Sequence, residues 1–320
     1  MRFALILSLV ATPALADIER AIDAHILPGH AALLDATTDL AEAAAADCTP
    51  EAVQPAFHTA YDAWLAISHI QFGPIEDQGL SLAMSFWPDP KDSTGKAINR
   101  LSADADPIVD DPVQFEEVSV AAQGLTALER LLYDGQPDPD YACRLTRAIA
   151  TGLARKAATL SDGWPDHADL MRNAGANDRY RTEQDAYRAL YTALSTGLEF
   201  LHDQRLARPL GTFDRPRPRR AEARRSERSL RHIALSLAAL EELATTMYDG
   251  DLTETRAAFA EARARASELN DPALEGVADP AKRFKVEVLQ RAVNDIRNAV
   301  NTEIGKPLGI TAGFNALDGD

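Results

Sequence analysis

A chain of 320 residues that is 46% hydrophobic can fill one large core or two of ordinary size, and two is the expectation at this length. An aromatic content of 6%, few β-branched runs and an excess of Ala, Leu, Glu and Arg favour helix over sheet. A formal net charge of −16 argues against nucleic acid or an anionic membrane as partner, since both need a basic surface, and it suits a protein that handles cations.

The chain opens with Met1-Arg2, an apolar run over 3–11 and then Thr12-Pro13-Ala14-Leu15-Ala16. A positive start, a short apolar centre and a small-x-small ending predict a signal peptide over 1–16, cleaved after Ala16. The mature protein is then expected to be exported, soluble and periplasmic, and no later stretch is long and apolar enough to span a membrane. A first helix is expected over 17–46, with an interruption at Pro28-Gly29. Thr49, Pro50 and Glu51 start a second over 50–72, whose apolar stripe includes Phe57, Tyr61, Trp64 and Leu65. Two loops follow, Gly73-Pro74-Ile75-Glu76-Asp77 and Phe86-Trp87-Pro88-Asp89-Pro90, and loops on a helical scaffold are where binding residues concentrate.

Further helices are predicted over 94–103, 113–133 and 139–161. Gly163-Trp164-Pro165-Asp166 reads as a break that divides an N-terminal bundle, 17–164, from a C-terminal bundle, 165–320. In the second half, helices are predicted over 182–204, 218–248, 253–269 and 280–302, each starting from a cap signal or a turn. Leu125-Thr126-Ala127-Leu128-Glu129 and Leu237-Ala238-Ala239-Leu240-Glu241 are each followed by Tyr-Asp-Gly, which hints at a decayed duplication. The expected fold is all-α, two helical bundles packed together. Cys48 and Cys143 lie beside loop signals, and in an oxidising compartment they form either one disulfide, Cys48 to Cys143, or two isolated thiols.

No His-Glu-x-x-His, nucleophile motif, glycine-rich phosphate loop or Cys-x-x-Cys-His occurs. What stands out is Glu129, a carboxylate on the packing face of an apolar helix, where it needs a cation, a metal or several donors. His58 and Asp62 share a face at i,i+4 spacing, and His69 precedes a structured loop, a position that suits a ligand or proton carrier. The run over 216–231 carries Arg217, Arg219, Arg220, Arg224, Arg225, Arg228 and Arg231 against Glu222 and Glu227. Such arginines either bind an anion or, through Arg225 and Arg228 on one side of a helix, neutralise Glu129 or Asp89. Arg220, Arg225 and Arg228 are the expected ion-pair or anion-binding set.

The helix that ends at Phe72-Gly73-Pro74, the Phe86-Trp87-Pro88-Asp89 loop, the stretch 124–135, Arg208-Pro209-Leu210-Gly211, the Arg-Arg-Ser-Glu-Arg-Ser run and the terminal Gly313-Phe314-Asn315-Ala316-Leu317-Asp318-Gly319-Asp320 together resemble the imelysin-like family of bacterial cell-envelope proteins. The resemblance implies an all-helical, exported protein connected with iron uptake, in a family nominally of metallopeptidases. Its signature Gly-x-His-x-x-Glu is matched here by Gly124 and Glu129, but the histidine, with the glutamate a proposed metal ligand, is replaced by Thr126. A neutral hydroxyl is a poor transition-metal ligand, so a site around Glu129 and Thr126 would have to recruit His69, Asp89 or Asp318. The expected function is therefore association with iron uptake without catalysis. It would bind a metal ion (iron or another divalent metal), a metal complex or an iron-uptake partner of the envelope in the cleft between the bundles. A metallopeptidase and a purely structural module remain the alternatives.

Overall fold

The structure is a computed structural model that describes residues 17–135 and 138–310. The chain is all-α; among the described residues the one β-type pairing is an isolated bridge between Thr212 and Arg215. The segment 1–16, expected as a signal peptide, and Asp318 with its terminal octapeptide lie outside the described residues.

The first helix begins at Ile18–Ala21, where the Asp17 side chain accepts from the Arg20 amide. It passes through a π turn, Ile22–Ile26, and continues as α1, Leu27–Ala46. Pro28 cannot donate to the helical ladder, and the chain widens just before it instead of breaking. Helix α2, Pro50–Ile67, ends before the expected Phe72, because the chain turns at 68–73 into the short helix Pro74–Asp77. After α3, Ser93–Asp104, the predicted helix over 113–133 forms only in its second half, as α4, Gly124–Asp134. Upstream the chain makes short 3-10 turns, because Gln123 turns back to donate to the carbonyls of Glu116 and Val118. Gly124 has φ +75°, and a Cβ there would stand 2.5 Å from the Ala83 carbonyl oxygen, so only glycine lets α4 start against that backbone.

The break expected at Gly163–Asp166 is not formed. Helix α5, Pro139–Arg172, runs straight through it with Pro165 inside. Trp164 is fully buried and donates its Nε1 to His30 at 2.8 Å, and His167, Ala168 and Met171 continue the same buried face. Packing thus outweighs the local proline penalty. A capping box of Thr182 and Asp185 starts α6, Glu183–Glu199, which flows into a π turn, Phe200–Ala207.

The helix predicted over 218–248 begins only at Ser229, as α7, Ser229–Thr246; residues 218–228 form turns, with Ala223 and Glu227 at positive φ. Helices α8, Thr253–Ser267, and α9, Pro280–Val300, close the chain. The π turns Phe200–Ala207 and Asn301–Gly305 are each followed by a positive-φ glycine, Gly211 and Gly309, which end the like sequences Pro209-Leu210-Gly211 and Pro307-Leu308-Gly309.

In the first half α1 packs between α2 and α5, and Cys48 and Cys143 are bonded where α5 begins, with Cα atoms 5.2 Å apart. In the second half α8 and α9 pack together and α7 packs on α8. The seam between the halves is α7 against α2, and one continuous cluster of buried apolar side chains runs through both.

Candidate functional site: a cavity along the seam

Where α2 ends, the loop after it, α6 with its π turn, and α7 enclose a cavity of about 700 Å³. Trp64, Phe72, Leu82, Trp87, Phe200 and Leu240 give it apolar walls, with Trp87 edge-on to Phe200 at 5.7 Å. Its polar lining includes His69, Ser85, Arg205 and Glu222. Gly197 on α6 faces Leu240 and His69; a Cβ there would come within 2.6 and 3.0 Å of them. Its lack of a side chain lets α6 approach α7 closely at the cavity.

Arg205 and Glu222 are both buried and joined at 2.6 Å, and His232 Nδ1 stands 3.1 Å from the same Glu222 oxygen. Burial pushes the Glu222 carboxyl up, but Arg205 and His232 outweigh it and hold the group at about 2. Burial lowers His232 despite Glu222 beside it. Its ring packs at 4.3 Å on Tyr61, whose phenol is pushed up by burial and by the nearby Glu222 and Glu129 carboxylates. From Tyr61 a chain of hydroxyls runs through Ser85 at 3.2 Å to Thr126 at 3.1 Å.

Glu129 lies on the packed face of α4, 2% exposed. Its Oε1 accepts from the Ser226 amide at 2.9 Å and the Ser226 hydroxyl at 2.8 Å. The expected arginine partners go elsewhere. Arg225 pairs with Asp134 at 2.6 Å, and Arg228 pairs with Asp62, which Arg231 also grips. Burial and the neighbouring Arg231 push Arg228 down to about 10. The cause of the mismatch is that residues 218–228 are turns, so the one-sided helical register assumed for Arg225 and Arg228 does not exist. Arg220 is exposed and has no carboxylate within 4 Å among the described residues.

Asp89 does not join Glu129 either; its two oxygens accept from the amides of Ser93 and Thr94, both at 2.8 Å, and cap α3. Burial raises its carboxyl, but those amides prevail and its pKa is lowered. The His58–Asp62 pair is also divided, because His58 meets the Tyr133 hydroxyl at 2.6 Å and Asp62 serves the arginines. Glu129 with one oxygen engaged by two donors, beside a threonine hydroxyl, does not fit a transition-metal ion. Among the described residues no three His, Cys, Asp or Glu side chains converge as a metal-binding group.

Among the described residues, His69 is the predicted site residue that reaches the cavity. Its Nε2 lies 2.9 Å from Nε2 of His25, and Nδ1 of His25 lies 3.0 Å from Oε2 of Glu242. Burial, with His25, His30 and Arg205 nearby, holds His69 well below the ordinary histidine value. His25, Arg205, Glu222, His232 and Glu242 carry no sequence signal, because the contacts that assemble them span from 10 to 217 residues and follow no helical or motif spacing.

Comparison with known proteins adds to this geometry. The family model described as imelysin, peptidase M75, matches residues 26–300. Iron-regulated protein A of Synechococcus elongatus is 25% identical over 205 residues, 60% of this chain and 54% of that protein, so the match spans about half the length of that relative. An imelysin-like protein from Psychrobacter arcticum superposes with a TM-score of 0.77 at 17% identity, covering 93% of this chain and 96% of that one. An iron-regulated protein A precursor from Parabacteroides distasonis gives 0.74 at 11% identity, covering 91% and 95%. At these identities the two structures are similar to this chain in fold.

Proposed function

Because the chain belongs to the imelysin family, we propose that it is a periplasmic binding protein of iron acquisition that takes a metal complex into the cavity along the α2–α7 seam and catalyses no reaction on it. The observation that carries this is the cavity itself. A bare ion needs only a few converging oxygen or nitrogen atoms, whereas about 700 Å³ with aromatic walls and a few polar groups suits a small organic ligand. The iron assignment rests on the names of the similar proteins, iron-regulated protein A and its precursor. The absence of catalysis is supported by the occupied state of Glu129 and by Thr126, which leave no firmly held metal with an open position for a water nucleophile.

Trp64 and Trp87 line the cavity, so tryptophan fluorescence reports on its filling. Titration of the mature protein with ferric citrate and with ferric tris-catecholate is expected to quench that fluorescence, with saturation in the micromolar range. No change with either complex up to millimolar concentration refutes the proposal, and chelator-sensitive cleavage of a peptide library refutes the non-catalytic part of it.

A further inference from the structure

We propose that the turn 212–215 and the first two turns of α9 form a surface that docks the protein onto an anionic phospholipid bilayer. Phe213 and Phe284 enter the headgroup region, and the cations around them meet the phosphates. This surface lies outside the cavity lining and does not depend on what the cavity binds.

The arginine-rich segment divides in the structure. Its later members Arg225, Arg228 and Arg231 pair with carboxylates of the first half. The earlier ones, Arg217, Arg219 and Arg220, are exposed together with Arg215, as are Lys282 and Lys285 on α9. Among the described residues none of these six has a carboxylate within 4 Å. Residues 211–220 carry four arginines and residues 281–285 two lysines and an arginine, against Asp214 alone. Arg208 registers the crowding, since its guanidinium is lowered by burial and further by Arg220.

The two stretches are fastened into one surface. Arg283 donates Nη1 to the Leu210 carbonyl at 2.6 Å, and its guanidinium carbon stands 5.9 Å from the centre of the Phe213 ring. The Arg215 amide donates to the Thr212 carbonyl at 3.1 Å and the Arg217 amide to the Pro209 carbonyl at 2.9 Å, so Phe213 is held out on a closed turn. Phe213 is 72% exposed and Phe284, next to Arg283, is 64% exposed, the two highest values among the large apolar side chains of the described residues. Single exposed apolar residues are ordinary, but two aromatic rings on adjoining rigid elements inside a cluster of unpaired cations mark a surface that something covers.

The chemistry selects a bilayer over a protein partner. A protein interface wants a contiguous apolar core, of which two rings set among cations are a poor example. An anionic bilayer needs no matching shape. It offers phosphates to the cations and a boundary into which rings sink by about 5–10 Å, while arginine and lysine stems lie along the apolar edge. The net charge of −16 does not forbid this. Charges farther than about 8 Å are largely screened at physiological ionic strength, so the bilayer meets the patch and not the sum over the chain.

The test is sedimentation of the mature chain with sucrose-loaded vesicles of phosphatidylglycerol and phosphatidylcholine in equal parts, and with vesicles of phosphatidylcholine alone, in about 0.1 M salt. Binding is expected on the mixed vesicles, about tenfold or more weaker on the neutral ones, and reversed by about 0.5 M salt. One cation near such a surface strengthens binding by about fivefold, so Arg219→Gln with Arg220→Gln should weaken it by about 25-fold. Phe213→Ser and Phe284→Ser should each weaken it by about tenfold. All four side chains are exposed, so the variants should melt with wild type, and the comparison of the two vesicles needs no variant. Failure of wild type to bind the mixed vesicles, equal binding to neutral ones, or unchanged binding in both phenylalanine variants overturns the inference. A wild-type dimer that Phe213→Ser dissociates, with vesicles left unbound, also overturns it and assigns the surface to a second copy of the chain. Ferric complexes should quench the tryptophans of Phe284→Ser as in wild type, so this inference and the proposed function fail separately.

Discussion

Replacing Glu129 separates a structural carboxylate from one held in reserve for a metal. In Glu129→Ala the Ser226 amide loses its acceptor in a buried place, which costs about 1–3 kcal/mol, and the missing methylenes add about 1 kcal/mol. The Ser226 hydroxyl is not orphaned, because the Ala223 carbonyl stands 3.1 Å away. The sum is about 2–4 kcal/mol, and at roughly 2 °C per kcal/mol for a chain of this length the melting temperature should fall by roughly 4–8 °C. Glu129→Gln keeps an oxygen acceptor and loses only the charge-assisted part of the bonds, about 1 kcal/mol. Differential scanning calorimetry on metal-free protein should rank wild type above Gln above Ala. The refuting result is a Gln variant more stable than wild type. That would mean the charge is an uncompensated burden in the metal-free protein, as expected of a vacant metal ligand and not of a carboxylate satisfied by Ser226.

Acid should unfold the protein in two legs. Glu222 is held at about 2 against an ordinary 4.5, so its contribution of about 3 kcal/mol is complete above pH 4.5 and is lost as pH falls toward 2. His30, lowered to about 4 from 6.5 chiefly by burial, adds a loss of similar size between pH 6.5 and 4, because only the unfolded chain takes up its proton there. Urea midpoints measured from pH 7 to 3 check both legs. Stability independent of pH from 6.5 to 4 refutes the upper one, and Glu222→Gln should flatten the lower. Replacing both Cys48 and Cys143 by alanine opens a link across 95 residues and should cost about 4–5 kcal/mol, read as a lower urea midpoint that reductant no longer shifts. Gly124→Ala should cost roughly 3 kcal/mol or more, since it combines a positive φ with a clash against backbone, and a fall in melting temperature under 2 °C would refute that account.

Most of the long helices were legible because their periodicity, caps and composition agree, as with Thr182 before α6 and Asp279 before α9. The misplaced starts share one cause. Residues 113–123 and 218–228 have helical composition, but side chains there bind back to local carbonyls or reach across to Glu129, and those bonds fix turns instead. The opposite error occurred at Trp164-Pro165, where a strong breaker signal was overridden by a buried tryptophan bound to His30. For the candidate site, spacing was enough to place Glu129 on the packed face of α4, since a 3.6-residue period fixes which side chains face inward. Nothing local could show that its partner lies 97 residues away in Ser226, or that His69 meets His25 across 44.

The arginine-rich segment supplies the partners of the acidic groups along the seam. Arg205 neutralises Glu222, Arg225 neutralises Asp134, and Arg228 with Arg231 neutralises Asp62, while the Ser226 turn between them satisfies Glu129. Asp62 belongs to α2, and Glu129 and Asp134 to α4, so one stretch from the second half fastens two helices of the first. Because these contacts are spread over consecutive residues, loosening one should loosen its neighbours, and paired substitutions such as Glu129→Gln with Asp62→Asn should couple instead of adding. The fastening lies on Glu129, whereas the cavity opens on His69 and Arg205. A change that unlocks the seam without touching the cavity lining should therefore weaken binding by changing how often the cavity is formed, at unchanged contacts within it. Stability and affinity measured together on Asp62→Asn and His69→Ala test this division. The first should lower both in proportion, and the second should lower affinity far more than stability.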